Sequence, residues 1–180
     1  MKKTYLFIAL IFASFFFIQC SSDDNNKHVE EQINGTLFVN GENFALGKNA
    51  SGNILNSMTS GGAGDLYTTT FTIAKSTTNP LETDVITIAI VKNTNTDING
   101  TYNFIQEDGD TTLLNYAVGN YFSIGNNRTY GDGQASGTVK VTKIGIGNYK
   151  LEFDNAKFLH EQSNDTKTLT GYCELEFEEF

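Results

Sequence analysis

The sequence predicts an all-β protein: an antiparallel β-sandwich, with an up-and-down, calycin-like barrel as the alternative. Three observations point there. Apolar and polar residues alternate with a period of two in run after run, and no sustained 3.6-residue apolar pattern interrupts them. The runs are short and separated by turn signals. Thr, Asn and Gly together supply about a third of residues 20–180, and Thr favours strands where Asn and Gly favour turns.

The elements follow in order. Ile33–Val39 and Glu42–Leu46 flank Asn40-Gly41, the strongest short hairpin signal, because both turn positions need positive φ. Ser51–Gly64 is rich in Gly and Ser and reads as a strand that ends in a loop, with Gly61-Gly62-Ala63-Gly64 as a mobile loop. Leu66–Ala74 sets Tyr67, Thr69, Phe71 and Ile73 on one face against Thr68, Thr70 and Thr72 on the other. A turn holding Pro80, the only proline, spans Ser76–Glu82. In Asp84–Lys92, Ile86, Ile88 and Ile90 share one face and Val85, Thr87, Ala89 and Val91 the other. Both faces can be buried, so this is the candidate central strand. Asn93–Asn99 is a loop. Gly100–Ile105 is a short strand with Tyr102 and Phe104 on one side. Leu113–Ile124 is apolar with an expected break at Gly119-Asn120. Gly137–Ile144 and Tyr149–Phe158 form a second hairpin around Gly145–Asn148, with Val139, Val141, Tyr149, Leu151 and Phe153 inward. Leu159–Asp165 is the one stretch that could be helical. Thr168–Phe177 closes the fold with Leu169, Gly171, Cys173, Leu175 and Phe177 inward. Nine or ten strands with local connections suit a sandwich or a barrel.

The N-terminus carries a different signal. Lys2 and Lys3 precede Tyr5–Ile18, an apolar run of 14 residues broken only by Ser14. A membrane-spanning helix needs about 20 apolar residues, so this run has the size of a secretory h-region. Gln19-Cys20-Ser21-Ser22-Asp23-Asp24 then turns abruptly polar. Residues 1–26 resemble the N-termini of surface-exposed lipoproteins of the Bacteroidota. The resemblance implies that residues 1–19 are a signal peptide and that Cys20 carries the lipid. It also implies that Ser21, Ser22, Asp23 and Asp24 direct export to the outer leaflet of the outer membrane. The expected organisation is therefore a leader over 1–19, a polar tether over 20–32 and one all-β domain over 33–180. Ile33–Leu46 and Gly137–Phe153 loosely resemble hairpins of small β-rich lipoproteins of unknown function, a likeness that brings no activity with it.

Charge and ligand chemistry narrow the function. The chain has 12 basic and 21 acidic residues, a formal net charge of −9, and no basic stripe, so nucleic acid is a poor partner. A lipidated Cys20 leaves Cys173 alone, and alternation with Leu175 and Phe177 makes it a small buried hydrophobe. Outside the tether the only histidine is His160. The serine near it, Ser163, falls in a polar turn, a poor setting for a Ser-His-Asp nucleophile; zinc needs several His or Cys ligands and the body offers one of each; and no Gly-x-Ser-x-Gly elbow is present. Asn93, Asn95 and Asp97 imitate the start of an EF-hand loop, but Ile98 and Phe104 stand where its Gly and Glu belong. Glu107, Asp108 and Asp110 are weak candidates for Ca²⁺; a solvated acidic turn is the simpler reading. Asp110-Thr111-Thr112 resembles a Bacteroidota O-glycosylation motif. Glu152, Asp154, Glu174 and Glu176 read as a water-facing ladder rather than paired catalytic acids. Tyr116, Tyr121 and Tyr130 lie near Arg128, a polar–aromatic mixture able to contact a glycan or, alternatively, to pack with satisfied hydroxyls. The sequence therefore predicts a non-catalytic, membrane-anchored binding or accessory module without a cofactor. Its expected partner is a glycan or an outer-membrane protein. The alternative is a lipocalin-like barrel carrying a small apolar ligand.

Overall fold

The computed structural model describes residues 34–47, 56–63, 66–77, 83–93, 97–105, 115–131, 134–160 and 162–179. Twelve strands occur among them: β1 (Asn34–Val39), β2 (Glu42–Asn43), β3 (Asn56–Ala63), β4 (Leu66–Ala74), β5 (Asp84–Lys92), β6 (Gly100–Asn103), β7 (Tyr116–Ser123), β8 (Arg128–Tyr130), β9 (Gln134–Lys143), β10 (Asn148–Leu159), β11 (Thr166–Glu176) and β12 (Glu178–Glu179). They form two six-stranded sheets, ordered β2-β1-β11-β10-β9-β6 and β12-β3-β4-β5-β7-β8. The sheets pack face to face as a sandwich. Among the described residues all pairings are antiparallel except β12 on β3 and one bridge between Phe104 and Ala117.

The barrel alternative is not realised, because both sheets keep open edges, at β2 and β6 and at β12 and β8. The interior between them is filled by side chains. Phe71, Ile73, Ile86, Ile88 and Ile90 come from the second sheet; Leu37, Val139, Val141, Leu151, Phe158, Leu169 and Cys173 come from the first. Each is at most 1 % exposed. Phe71, Tyr149 and Phe177 meet edge to face at centroid distances of 5.0 to 6.1 Å, a geometry favoured by the ring quadrupoles.

Local chemistry explains most elements. Asn40 (φ 52°) and Gly41 (φ 80°) form the two-residue turn of the first hairpin. Asn40 also ties this turn to β11: its Oδ1 accepts the Thr168 amide at 2.7 Å and its Nδ2 donates to the Thr166 carbonyl at 3.2 Å. β5 lies between β4 and β7, as its two apolar faces predict.

Three expectations are corrected. Gly61, Gly62 and Ala63 are not a loop; they continue β3, opposite Thr68, Tyr67 and Leu66. β7 runs unbroken through Gly119-Asn120. There a Cβ on Gly119 would fall 2.8 Å from the Phe104 ring and 3.0 Å from that of Phe158, so the glycine makes room for two core rings. No helix occurs among the described residues of Leu159–Asp165: β10 ends at Leu159, and the Asn164 amide (φ 56°) donates to the His160 carbonyl.

A crease crosses the first sheet. β10 bulges at Asp154-Asn155, with Asn155 at φ 47°. The extra residue shifts the alternation, so Ala156 and Phe158 point inward after Phe153. The flanking strands accommodate it with Gly137 (φ 88°) and Gly171 (φ 93°).

The outward faces of the two sheets differ. On the first sheet Lys140, Lys150, Glu152 and Glu174 form a ladder with N···O distances of 3.0 to 4.0 Å. Lys150 also lies 4.6 Å over the Tyr172 ring. On the second sheet β4, β5, β7 and β8 turn only Thr, Ala, Val, Asn, Tyr and Phe outward between Thr68 and Thr129.

Candidate functional site

The residues expected to contact a glycan do not form one platform. β7 alternates, so Tyr116 faces outward and Tyr121 inward. Tyr121 and Tyr130 are directly opposed across β7 and β8, with rings 5.9 Å apart at 78°. They are 3 % and 5 % exposed, so neither ring offers an open face for stacking. Phe44 packs against Tyr121 at 6.4 Å and His160 against Tyr130 at 5.5 Å. The Lys167 ammonium lies 5.3 and 5.2 Å from the Tyr121 and Tyr130 ring centroids, within cation–π range. Burial, and then a hydrogen bond to the Asp84 carboxylate, raise the pKa of the Tyr121 hydroxyl. Arg128 is exposed and pairs with Asp165 at 3.1 Å. This is packing with satisfied polar ends, and it joins the edge of one sheet to the hairpin of the other.

Tertiary structure does bring a serine, a histidine and an aspartate together in the β10–β11 turn. Ser163 Oγ is 3.2 Å from His160 Nδ1 and donates to Asp165 Oδ2 at 2.8 Å. The Ser163 amide donates to the same His160 nitrogen at 3.2 Å. A nucleophilic relay needs the carboxylate to orient the imidazole and the imidazole to take the serine proton. Here the serine bonds the carboxylate directly and the imidazole is tied to the backbone. The three side chains lock a turn.

Among the described residues, an open site lies at the end of the sandwich where β5 stops and β6 and β7 start. A cleft of about 290 Å³ is lined there by Lys92, Asn93, Asn99, Thr101, Tyr102 and Asn115. Its walls are held by their own hydrogen bonds. Asp97 accepts from the Asn99 amide at 3.1 Å and from Asn99 Nδ2 at 2.8 Å. Asn99 Oδ1 accepts the Lys143 amide at 2.5 Å, pinning the loop to β9. Lys92 Nζ donates to the Asp97 carbonyl, and the Tyr102 hydroxyl donates to the Ile98 carbonyl at 2.6 Å. Asn115 enters β7 at φ 68°, a left-handed conformation that Asn tolerates. The Asn99 bonds, aided by Lys92 and Lys143, hold the Asp97 carboxyl below its ordinary range. Burial raises the Tyr102 phenol.

The cleft therefore presents the amides of Asn93 and Asn115 and the Thr101 hydroxyl, while Asn99 and Lys92 are engaged in holding the loop. Amides offer two donors and an acceptor on a planar group, which suits a ligand with many hydroxyls. By sequence alone Asn93, Asn99 and Asn115 read as turn formers. The one hint to another role is that all three fall at strand ends.

Among the described residues no group of three or more His, Cys, Asp or Glu side chains is placed to hold a metal ion. Glu107, Asp108 and Asp110, the Asp110-Thr111-Thr112 motif, and Cys20, Ser21, Ser22, Asp23 and Asp24 lie outside the described residues. Comparison of the chain with protein-family models, with curated proteins and with solved structures finds no match.

Proposed function

We propose that this protein is a lipid-anchored, non-catalytic binding module of the outer-membrane surface, and that it holds a glycan in the cleft at the end of the sandwich. The observation that carries this reading is the lining itself: Asn93, Asn99 and Asn115 converge with Thr101 and Lys92 around one opening. Specific sites place a few polar groups in a preformed concavity, and here two of the amides stand on strand ends and a third is pinned by Asp97. The anchor rests on Cys20 and the acidic residues that follow it. The carrier alternative required a closed barrel, and the two open sheets remove that premise.

Affinity electrophoresis tests the cleft. The protein should be retarded in gels containing a soluble polysaccharide. The double variant Asn93→Ala, Asn115→Gly should run free while melting as the unchanged protein does; glycine keeps the backbone angle at position 115 and removes the amide. Retardation undiminished in that variant sinks the reading. For the anchor, palmitate incorporation should disappear in Cys20→Ser.

A further inference from the structure

We infer that the β9–β10 turn is a second membrane contact, with Ile144 and Ile146 seated in the lipid surface beside the anchor. The inference rests on the lipid-anchor reading above and assigns the part of the fold that meets the bilayer.

The two isoleucines are held out in water. Ile146 is 94 % exposed and Ile144 56 %, the two highest values among the large apolar side chains of the described residues. Ile73, Ile86, Ile88 and Ile90 are at most 1 % exposed. Turns ordinarily take polar residues, with Gly or Asn where the backbone requires them. Here Gly147 takes the left-handed position at φ 69°, and Asn148 makes the bonds across the turn. The isoleucines answer no demand of the turn itself.

Register places this turn beside the point where the chain enters the fold. Asn34, the first residue of β1, pairs with Glu174, Glu174 with Lys150 and Lys150 with Thr142. Within this one sheet β1 therefore begins at the end from which the β9–β10 turn projects. β1 and β10 are two strand spacings apart, about 10 Å. Fourteen residues separate Cys20 from Asn34, a reach of at most about 50 Å. A lipid on Cys20 draws this end of the sheet to the bilayer, and the contact of the turn becomes intramolecular, so a weak one suffices.

The turn also suits lipid chemically. Unbonded peptide groups keep most loops out of a bilayer. In this turn the Gly145, Ile146 and Gly147 carbonyls accept from the Asn148 amide at 3.3 Å, Asn148 Nδ2 at 3.1 Å and the Phe177 amide at 2.9 Å, and the Ile144 amide donates to the Asn148 carbonyl at 2.9 Å. Lys143 and Glu176, at the base of the turn, oppose each other in sign, so the attraction is apolar. Two side chains are far too few for a stable protein interface, which buries ~800 Å² per partner. A bilayer gains from each apolar side chain separately.

The test uses the full lipidated chain in phosphatidylcholine vesicles. Ile146→Cys and, towards the other end of β10, Lys157→Cys are each labelled with a small fluorophore. Cys20 carries the lipid and Cys173 is completely buried, so each variant takes one label. The expected result is that a lipid-borne nitroxide quenches the label at 146 and not at 157, and that aqueous iodide does the reverse. Adding Ile144→Ser to Ile146→Cys should weaken the lipid contact about tenfold, and added salt should leave it unchanged. Equal iodide access at both positions, in vesicles that carry the chain, overturns the inference and leaves the anchor standing. Lipid quenching that Ile144→Ser does not move is insertion of the dye alone and overturns it too. Protection from iodide without lipid quenching marks a protein partner or a second copy and overturns it as well. A chain that fails to float with the vesicles removes the anchor and the inference together.

Discussion

Gly119 sits under Phe104 so closely that a Cβ at position 119 would come within 2.8 Å of the ring. Phe104 in turn packs edge to face on Phe158 at 5.2 Å, and both rings are nearly fully buried. The glycine is a packing residue in mid-strand. Gly119→Ala should therefore destabilise the fold by roughly 1–3 kcal/mol, the usual cost of overfilling a core. Chemical denaturation checks this; an unchanged midpoint means that the rings can yield.

Two other glycines separate backbone strain from steric clash. Gly41 has φ 80° and open space around its Cβ position, whereas Gly171 has φ 93° and a Cβ position 2.0 Å from the Thr36 carbonyl oxygen. Gly41→Ala carries only the left-handed penalty of about 1–2 kcal/mol. Gly171→Ala must in addition push β1 away from β11, so its loss should exceed that of Gly41→Ala by roughly 1–3 kcal/mol. Equal losses in urea titrations mean that β1 gives way without cost.

Glu152 lies between Lys140 at 3.0 Å and Lys150 at 3.3 Å. The Lys140 hydrogen bond foremost holds its carboxyl below the ordinary value of 4.5. A lowered folded-state pKa gives stability that is present above the unfolded value and lost as the pH falls through the folded one. Because the pair is solvent-exposed, Glu152→Gln should cost only about 0.5 kcal/mol at neutral pH. The cost should shrink in high salt and vanish in acid. A cost that persists once the carboxyl is protonated in both states points to packing instead of charge.

Cys173 is completely buried, and burial pushes its thiol up to about 12. The thiolate is the reactive form, so at pH ~8 Cys173 should resist alkylation in the native state and react fully in denaturant. Mass spectrometry after iodoacetamide treatment reads this. Prompt native labelling contradicts the packing of β11.

The fold class was legible because it rests on local rules. Period-two alternation identified β4 and β5 with their observed bounds, and Asn40-Gly41 identified a turn that needs positive φ twice. The doubly apolar Asp84–Lys92 was assignable to the sheet interior for the same reason. The sequence did not reveal β8 or β12, which at three and two residues are too short to show a period. Nor did it reveal the crease at Asn155, whose extra residue breaks the very alternation that locates a strand.

Alternation and turn chemistry are thus enough to specify an all-β body, its principal strands and the inward residues of most of them. They do not specify which strands are neighbours. Sandwich and barrel bury the same alternating residues, and the choice between them lies in whether the edge strands meet, which is a long-range matter. The functional residues divide in the same way. Tyr121 and Tyr130 resemble a binding surface in the sequence because spacing cannot say which side of a strand faces the opposite sheet. Asn93, Asn99 and Asn115 resemble turn residues because each is one. Only the meeting of three strand ends makes them the wall of a cleft.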